Sequence, residues 1–441
     1  MSDQAVSEAL PALPTFTQAL RYWLKLGCIS FGGPAGQIAI MQAELVEKRR
    51  WISQGRFLHA LNYCMVLPGP EAQQLATYLG WLLHGVRGGI AAGVLFVLPS
   101  LLLLIALTWA YLALGPQVST TLLAGVKPAV VAVVAFAAWR IGSKTLKHPA
   151  LWALALTSLA VLSFAPQSAW VFPLLVLSAG IAGWLLRAHL KPAGHGSAST
   201  KSHAPALIDD DTPSPAHAAI HRPRLLRIAL TGLVLGALVW GALVLTLGLD
   251  STLTRMGTFF TQAALLTFGG AYAVMPYVFQ NAVQTFGWIT PPQMLDGLAL
   301  GESTPGPLIM VVAFIGYVGA AGAGNVLSAG IAGAVVATFF TFLPSFLFIL
   351  IGAPFVERSR GLQAFAAPLT AITAAVVGAI LHLAITLGVQ VLLPSGAPDW
   401  FALLLAVGGL LALVRGWLGI VPLIGLSAVL GVARPWLSAL F

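Results

Sequence analysis

The chain has 441 residues, 58% of them hydrophobic and only 8% charged, with 22 Lys and Arg against 13 Asp and Glu for a formal net charge of +9. A soluble protein of this length carries about 25% charged residues, so an ordinary cytosolic enzyme, a disordered chain and a nucleic-acid binder are excluded. The basic residues sit in short clusters between long apolar runs, not along a surface that could track phosphates, and this is the pattern of a polytopic membrane protein.

The first stretch, MSDQAVSEALPALPTF, contains Asp3 and Glu8 and no basic region, so it does not read as a cleavable signal peptide. Apolar segments follow at roughly 16–43, 57–84, 88–113, 119–141, 150–165 and 168–187. A polar stretch, 188–224, comes next. It holds Pro, Gly, Ser, the run Asp209–Asp211 and five of the nine histidines without fixed ligand spacing, and is expected to be a solvated, flexible cytoplasmic linker with no metal. Further apolar segments lie at roughly 225–248, 252–280, 293–320, 326–352, 362–388, 399–414 and 417–434. Most are long enough, as helices, to cross roughly 30 Å of hydrocarbon; 150–165 and 399–414 are short. Continuous apolarity argues for helices, since a membrane β-barrel shows short alternating segments. Cys28 and Cys64 both lie in apolar segments and are expected to pack as small hydrophobes without a disulfide.

The sequence repeats. Ser30–Gly36 (SFGGPAG) recurs as Thr267–Ala273 (TFGGAYA), Trp51-Ile52 as Trp288-Ile289, and Pro68-Gly69-Pro70 as Pro305-Gly306-Pro307, all at one offset of 237 residues. Phe96–Ser100 (FVLPS) matches Thr341–Ser345 (TFLPS) at a nearby offset of 245. The organisation is therefore a first unit in 1–187, a linker at 188–224, an unpaired helix at 225–248 and a second unit in 249–441. Each unit has an even number of apolar segments, so the single extra crossing turns the second unit over: an all-α membrane protein with an inverted repeat. Basic clusters fall in non-equivalent loops, as the positive-inside rule requires of inverted copies. Lys48, Arg49, Arg50, Arg56, Arg87, Arg140, Lys144 and Lys147 fall on one side only if the FGG and PGP segments are broken or re-entrant. The N-terminus is then cytoplasmic and the C-terminus outside, in a multi-pass protein of a bacterial-type inner membrane.

Gly32, Gly33, Pro34, Pro68, Gly69 and Pro70, with Gly269, Gly270, Pro305, Gly306 and Pro307, are helix breakers inside apolar segments. A helix that restarts after a break points free N–H groups and a positive dipole end into the protein, which makes an anion site without a side chain. A plain packing kink is the simpler alternative. Charges inside the apolar segments cost at least ~2.5–3.5 kcal/mol near the bilayer centre. Lys25 and Lys127 could attract an anion; Glu71 and Glu302 could exchange protons. Against this, Glu71 could simply cap a helix and Lys127 could snorkel. Asn62, Gln73 and Gln74 could donate hydrogen bonds to an oxyanion or merely join helices. His59, His84 and His382 read as bundle residues rather than proton relays, and Glu44–Arg50 as an interfacial loop. No phosphate loop, HExxH, CxxC or GxSxG is present, so no enzyme, no cofactor and no direct use of ATP is expected.

With FGGPAGQIAIMQAELVEKRRW, LNYCMVLPGPEAQQLATYLGW, TFGGAYAVMPYV and GESTPGPLIM in view, the chain resembles the long, two-domain type of the chromate transporter family over about 16–434. The resemblance implies efflux of chromate and chromate resistance. It also implies roles for Gly32, Gly33, Pro34, Pro68, Gly69, Pro70, Glu71, Gly269, Gly270, Pro305, Gly306 and Pro307. The second unit departs from the first, with Ala271 in place of Pro34 and Leu308 in place of Glu71. The expected partners are chromate, with sulfate as a competitor of similar shape, protons and the lipid bilayer, with no nucleic acid; a homodimer is open. Export would run on the membrane potential, with proton antiport as an added coupling. The alternatives are a transporter of sulfate or another oxyanion, or an anion channel.

Overall fold

The computed structural model describes residues 12–31, 33–164, 170–187, 205–213, 215–268, 270–322, 326–358 and 366–438. Among these, sixteen α-helices carry the fold. The first unit holds α1 (Phe16–Ile29), α2 (Gly33–Gln42), α3 (Gln54–Val66), α4 (Glu71–Leu123), α5 (Val126–Thr145), α6 (Pro149–Phe164) and α7 (Val171–Leu185); α8 (Arg222–Leu247) joins the units. The second unit holds α9 (Thr252–Leu265), α10 (Ala271–Phe279), α11 (Pro291–Ser303), α12 (Val311–Ala321), α13 (Leu327–Arg358), α14 (Ala366–Leu392), α15 (Trp400–Val414) and α16 (Ile420–Ser438).

The repeat read from the sequence is present in the backbone. Thr15 and Ser251 cap α1 and α9, and Ser53 and Thr290 cap α3 and α11, each by accepting the amide three residues on. One π-helical turn follows α2 at Ala43–Lys48 and another follows α10 at Gln280–Thr285. Positive-φ residues recur at the same spacing: Gly33, Arg50, Gly69 and Gly85 in the first unit, Gly270, Gly287, Gly306 and Gly322 in the second. Sequence apolarity alone joined α1 to α2 and α3 to the start of α4, because a break of three or four residues hardly interrupts a hydropathy pattern.

A straight helix of the length of α4 would run ~80 Å. At Gly85 (φ 64°) the chain instead doubles back, so that Gly80 lies against Gly88 and Ala92, and Gly93 against Thr77. The second unit makes the equivalent turn between α12 and α13, with Gly316 against Gly333.

These turns sort the loops by membrane side. His84 Nε2 lies 2.9 Å from the Pro14 carbonyl and His217 Nε2 2.9 Å from the Trp81 carbonyl. Ile208 pairs with Ile52 through a parallel bridge. The start of α1, the loop at 50–53, the Gly85 turn and the connector therefore share one face. The FGG and PGP segments each dip in and return to it, and the rest of α4 crosses. From this face α8 runs antiparallel to α13, with Gly232 against Leu347 and Gly236 against Leu343, and delivers the chain to the opposite face, where Trp240 donates to Thr258 at 3.0 Å. The second unit thus starts on the opposite face from the first, which completes the inverted repeat. Leu102, Trp109, Trp152, Leu156, Leu174, Leu230 and Leu238 are exposed apolar side chains on these helices, as lipid contact requires.

The stretch expected to be a flexible linker behaves differently where it is described. Leu207 and Ile208 donate to the carbonyls of Arg50 and Trp51 at 2.9 and 3.1 Å, and Ser53 donates to Asp210 at 2.7 Å. Arg56 donates to the carbonyls of Asp209 (2.8 Å) and Thr212. Ala206, Ile208 and Ala218 are buried. An apolar Ala-Leu-Ile core within a polar composition explains both the expectation and the docking.

Candidate functional site at the crossed breaks

The four breaks meet in reciprocal pairs. Gly69 donates its backbone N–H to the Thr267 carbonyl at 2.7 Å, and Gly306 donates to the Ser30 carbonyl at 2.8 Å. Each PGP motif of one unit is thereby tied to the FGG motif of the other. Both glycines hold backbone conformations that side chains avoid (φ 129° and 118°) and both are tightly covered. A Cβ on Gly69 would collide with Ser345 Oγ and come within 2.5 Å of Gln74 Nε2, and one on Gly306 would stand 2.5 Å from Ser100 Cβ. The serines of the two LPS motifs thus touch the PGP glycine of the opposite unit. Ser100 lies near the middle of the crossing run that ends at Leu114, and Ser345 near the middle of α13, so the crossover sits deep in the apolar layer.

The glycine amides at both PGP breaks are therefore occupied, and the donors left for an anion are those of the first turns after the breaks and of side chains. Gln37 on α2 is buried and donates to the carbonyls of Gly306 (2.5 Å) and Ser30 (3.3 Å). Gln74 donates to Pro68 at 2.8 Å and Gln73 to Thr77 at 3.0 Å. Two carboxylates also lie beside the breaks. Glu71 Oε1 lies 3.7 Å from the place a Cβ on Gly270 would take, and Tyr272, two residues on, donates its hydroxyl to Glu302. An amide side chain lines each pair, Gln37 at Ser30–Gly306 and Gln74 at Gly69–Thr267; Glu71 stands beside Gly270, and Glu302, just before the Pro305-Gly306-Pro307 break, is tied to Tyr272.

Of the residues singled out from sequence, Pro68, Gly69, Pro70, Gln73, Gln74, Glu71, Gly270, Pro305, Gly306, Pro307 and Glu302 come together here, and Gly33 and Pro34 begin α2 beside it. Gly32 and Gly269 lie outside the described residues. Lys25 is exposed on α1 and Asn62 exposed on α3. Lys127 forms an ion pair with Asp296 (3.1 Å), whose other oxygen accepts from Tyr111 at 2.9 Å. This group sits at the face opposite the connector. Its counterpart at the connector face is Arg56, paired at 2.8 Å with Glu357, which also accepts from Tyr78 at 2.5 Å. Both pairs tie α3 or α11, which lead into the PGP breaks, to the long helices.

Sequence reasoning missed Ser30, Gln37, Ser100, Thr267, Tyr272, Asp296 and Ser345. Four of them were in plain sight, since Ser30 and Thr267 open the FGG motifs and Ser100 and Ser345 end the matched LPS motifs.

The chromate transporter family profile matches residues 17–184 and 254–432, the two units without the connector or α8. The chain is 32% identical over 383 residues to a chromate transport protein of Cupriavidus metallidurans, covering 86% of this chain and 84% of that one. It is 35% identical over 392 residues to a chromate transport protein of Pseudomonas aeruginosa, covering 86% and 82%. A probable chromate transport protein of Synechococcus elongatus is 31% identical over 402 residues, covering 91% and 89%. No solved structure matches the chain. Two FGG–PGP units, crossed through their breaks and matched by one family over both, make this chain a member of the chromate transporter family, a transporter and not an enzyme.

Proposed function

We propose that this protein exports chromate from the cytoplasm, with the anion held at the crossed breaks and the membrane potential as driving force. The observation that carries the reading is the reciprocal pairing of Gly69 with Thr267 and Gly306 with Ser30. It places restarting helices from both inverted units at one depth, the arrangement in which secondary transporters hold anions. The connector face is the cytoplasmic one, because Lys48, Arg49, Arg50, Arg56, Arg87, Arg140, Lys144 and Lys147 end there. The C-terminal end of α16 is then outside. Moving a dianion out of a cell at 100 mV, negative inside, gains ~4.6 kcal/mol, about a thousandfold gradient. Protons exchanged at Glu71 and Glu302 add to that gradient or draw on it, according to the sign of their coupling to the anion. The ion pairs Arg56–Glu357 and Lys127–Asp296 close the two faces in turn.

The test is chromate uptake into inside-out vesicles carrying the purified protein, with an imposed potential and excess sulfate. Potential-driven uptake that resists sulfate supports a chromate exporter. Uptake abolished by sulfate makes the protein a general oxyanion carrier, and no uptake by active vesicles overturns the reading.

A further inference from the structure

Twelve buried side-chain polar atoms among the described residues have no hydrogen-bond partner, and six of them surround the crossover: the hydroxyls of Ser30, Ser100 and Ser345 and the amide oxygens of Gln37, Gln73 and Gln74. A buried hydroxyl without a partner costs about 1–3 kcal/mol, so the three hydroxyls call for an acceptor; the amide oxygens only accept, and their Nε2 groups are already spent on Ser30, Gly306, Thr77 and Pro68. The three serines are 0%, 1% and 0% exposed. On the same helices the alternative is cheap and taken: Thr108 donates to the Leu104 carbonyl at 2.6 Å and Thr341 to Ala337 at 2.7 Å. Ser100 and Ser345 do not satisfy themselves in this way. Each instead abuts the PGP glycine of the opposite unit.

We infer that Ser30, Ser100 and Ser345 are the hydrogen-bond donors that recognise a tetrahedral oxyanion at the crossover, an inference that rests on the anion-transport reading above. The Gly69 and Gly306 amides are already spent on carbonyls, so hydroxyls must supply what those backbone groups do not. The three hydroxyls come from three segments, the end of α1, α4 and α13, with Ser30 and Ser100 at Gly306 and Ser345 at Gly69. A dianion with four oxygens can accept from donors at both pairs of breaks, where nitrate offers three oxygens and one charge. Hydroxyls also bind the anion without a fixed positive charge, which allows release as well as capture.

The test uses the full-length protein with Ser100→Ala, Ser345→Ala and the double variant, and Thr108→Val as control. Chromate and sulfate binding are titrated in detergent, uptake is measured in vesicles, and nitrate serves as the planar probe. Each alanine should raise the chromate KM about tenfold, the loss of one hydrogen bond to a charged group, and leave the maximal rate within about twofold. The melting temperature should hold or rise, because an unsatisfied buried hydroxyl is removed; a hydroxyl with a merely structural bond would lower it. Thr108→Val should leave KM unchanged. Unchanged KM in both serine variants, or nitrate competing as well as sulfate, overturns the inference. Wild-type protein that binds sulfate but neither binds nor moves chromate overturns the chromate reading, while the serine variants then test the hydroxyls on the sulfate titration.

Discussion

Replacing Gly306 by alanine probes the crossover with the smallest possible change. The residue sits at φ 118°, where an L side chain is strained, and its new Cβ would stand 2.5 Å from Ser100 Cβ and 2.7 Å from Ser100 Oγ. Left-handed backbone costs about 1–2 kcal/mol and overpacking a tight site about 1–3 kcal/mol. The paired break should therefore be destabilised by about 2–5 kcal/mol, enough to lower the equilibrium constant for forming it at least thirtyfold. Gly287→Ala separates the two terms, since Gly287 has φ 61° but nothing within 4 Å of a new Cβ. It should melt slightly lower than wild type and keep its transport. The assay is the initial rate of chromate uptake in vesicles, normalised to membrane-inserted protein, together with melting in detergent. Gly306→Ala should lose more than nine-tenths of its rate while still reaching the membrane, and Gly69→Ala should behave alike. If Gly306→Ala transports within about twofold of wild type and melts with Gly287→Ala, the close approach at the crossover is not required and the reasoning fails.

Removing one member of the buried pair at the connector face, as in Arg56→Met, should cost about 3–5 kcal/mol because Glu357 is left buried without that partner. Glu357→Leu added to Arg56→Met should recover part of the lost melting temperature, and no recovery would refute the pairing. At the opposite face, Asp296→Asn should weaken the hold on Lys127 and slow transport without loss of chromate binding; a binding defect would move Asp296 into the anion site. The docked connector should protect the amides of Leu207 and Ile208 from hydrogen exchange relative to exposed turns. His217 beside Trp81 is held below its ordinary pKa, first by burial and then by Arg224 and His84, against the pull of the Trp81 carbonyl. Its docked form is neutral, so docking is fully present above the free-histidine pKa of about 6.5 and should weaken as pH falls below it. Protection of Ile208 that does not change between pH 7.5 and pH 5.5 would refute this.

Much of this architecture was legible in the sequence because its signals are local. Gly and Pro at a fixed offset mark the breaks, apolar runs mark the helices, and clustered arginines mark one face. The turn at Gly85 was also visible, as the gap between two apolar segments. What the sequence concealed is pairing across units. Nothing in the string SFGG shows that the Ser30 carbonyl receives the Gly306 amide, or that Ser100 lies under the same glycine. Asp296 escaped notice because it stands near the start of the apolar segment 293–320, where a carboxylate reads as solvated until Lys127 and Tyr111 are brought to it from two other helices. The connector escaped because its composition is polar overall, and three buried apolar residues do not outweigh the Asp run and prolines around them.

In the export proposed above, Glu71 would set the sign of any proton coupling. Glu71 lies beside Gly270, at the N-terminal ends of α4 and α10. An ionised Glu71 about 5 Å from a bound anion would oppose it by on the order of 3 kcal/mol per unit charge at an effective dielectric of 20. Protonating Glu71 therefore favours the anion, and by reciprocity the anion favours the proton. Groups coupled in this way load together and travel together. Antiport needs the opposite, a site where proton and anion exclude each other. Under the proposed export, the placement of Glu71 thus favours an anion that would leave with a proton, so that each cycle would spend potential on less net charge. Glu71→Gln, neutral at every pH, should bind chromate at least as tightly as wild type at neutral pH and lose the dependence of binding on pH. In weakly buffered detergent solution, at a pH where free chromate carries no proton, wild-type protein should take up protons as chromate is added, and Glu71→Gln should take up fewer. Proton release by wild type, or a Glu71→Gln variant that binds chromate tenfold more weakly, would refute co-loading and restore antiport as the coupling.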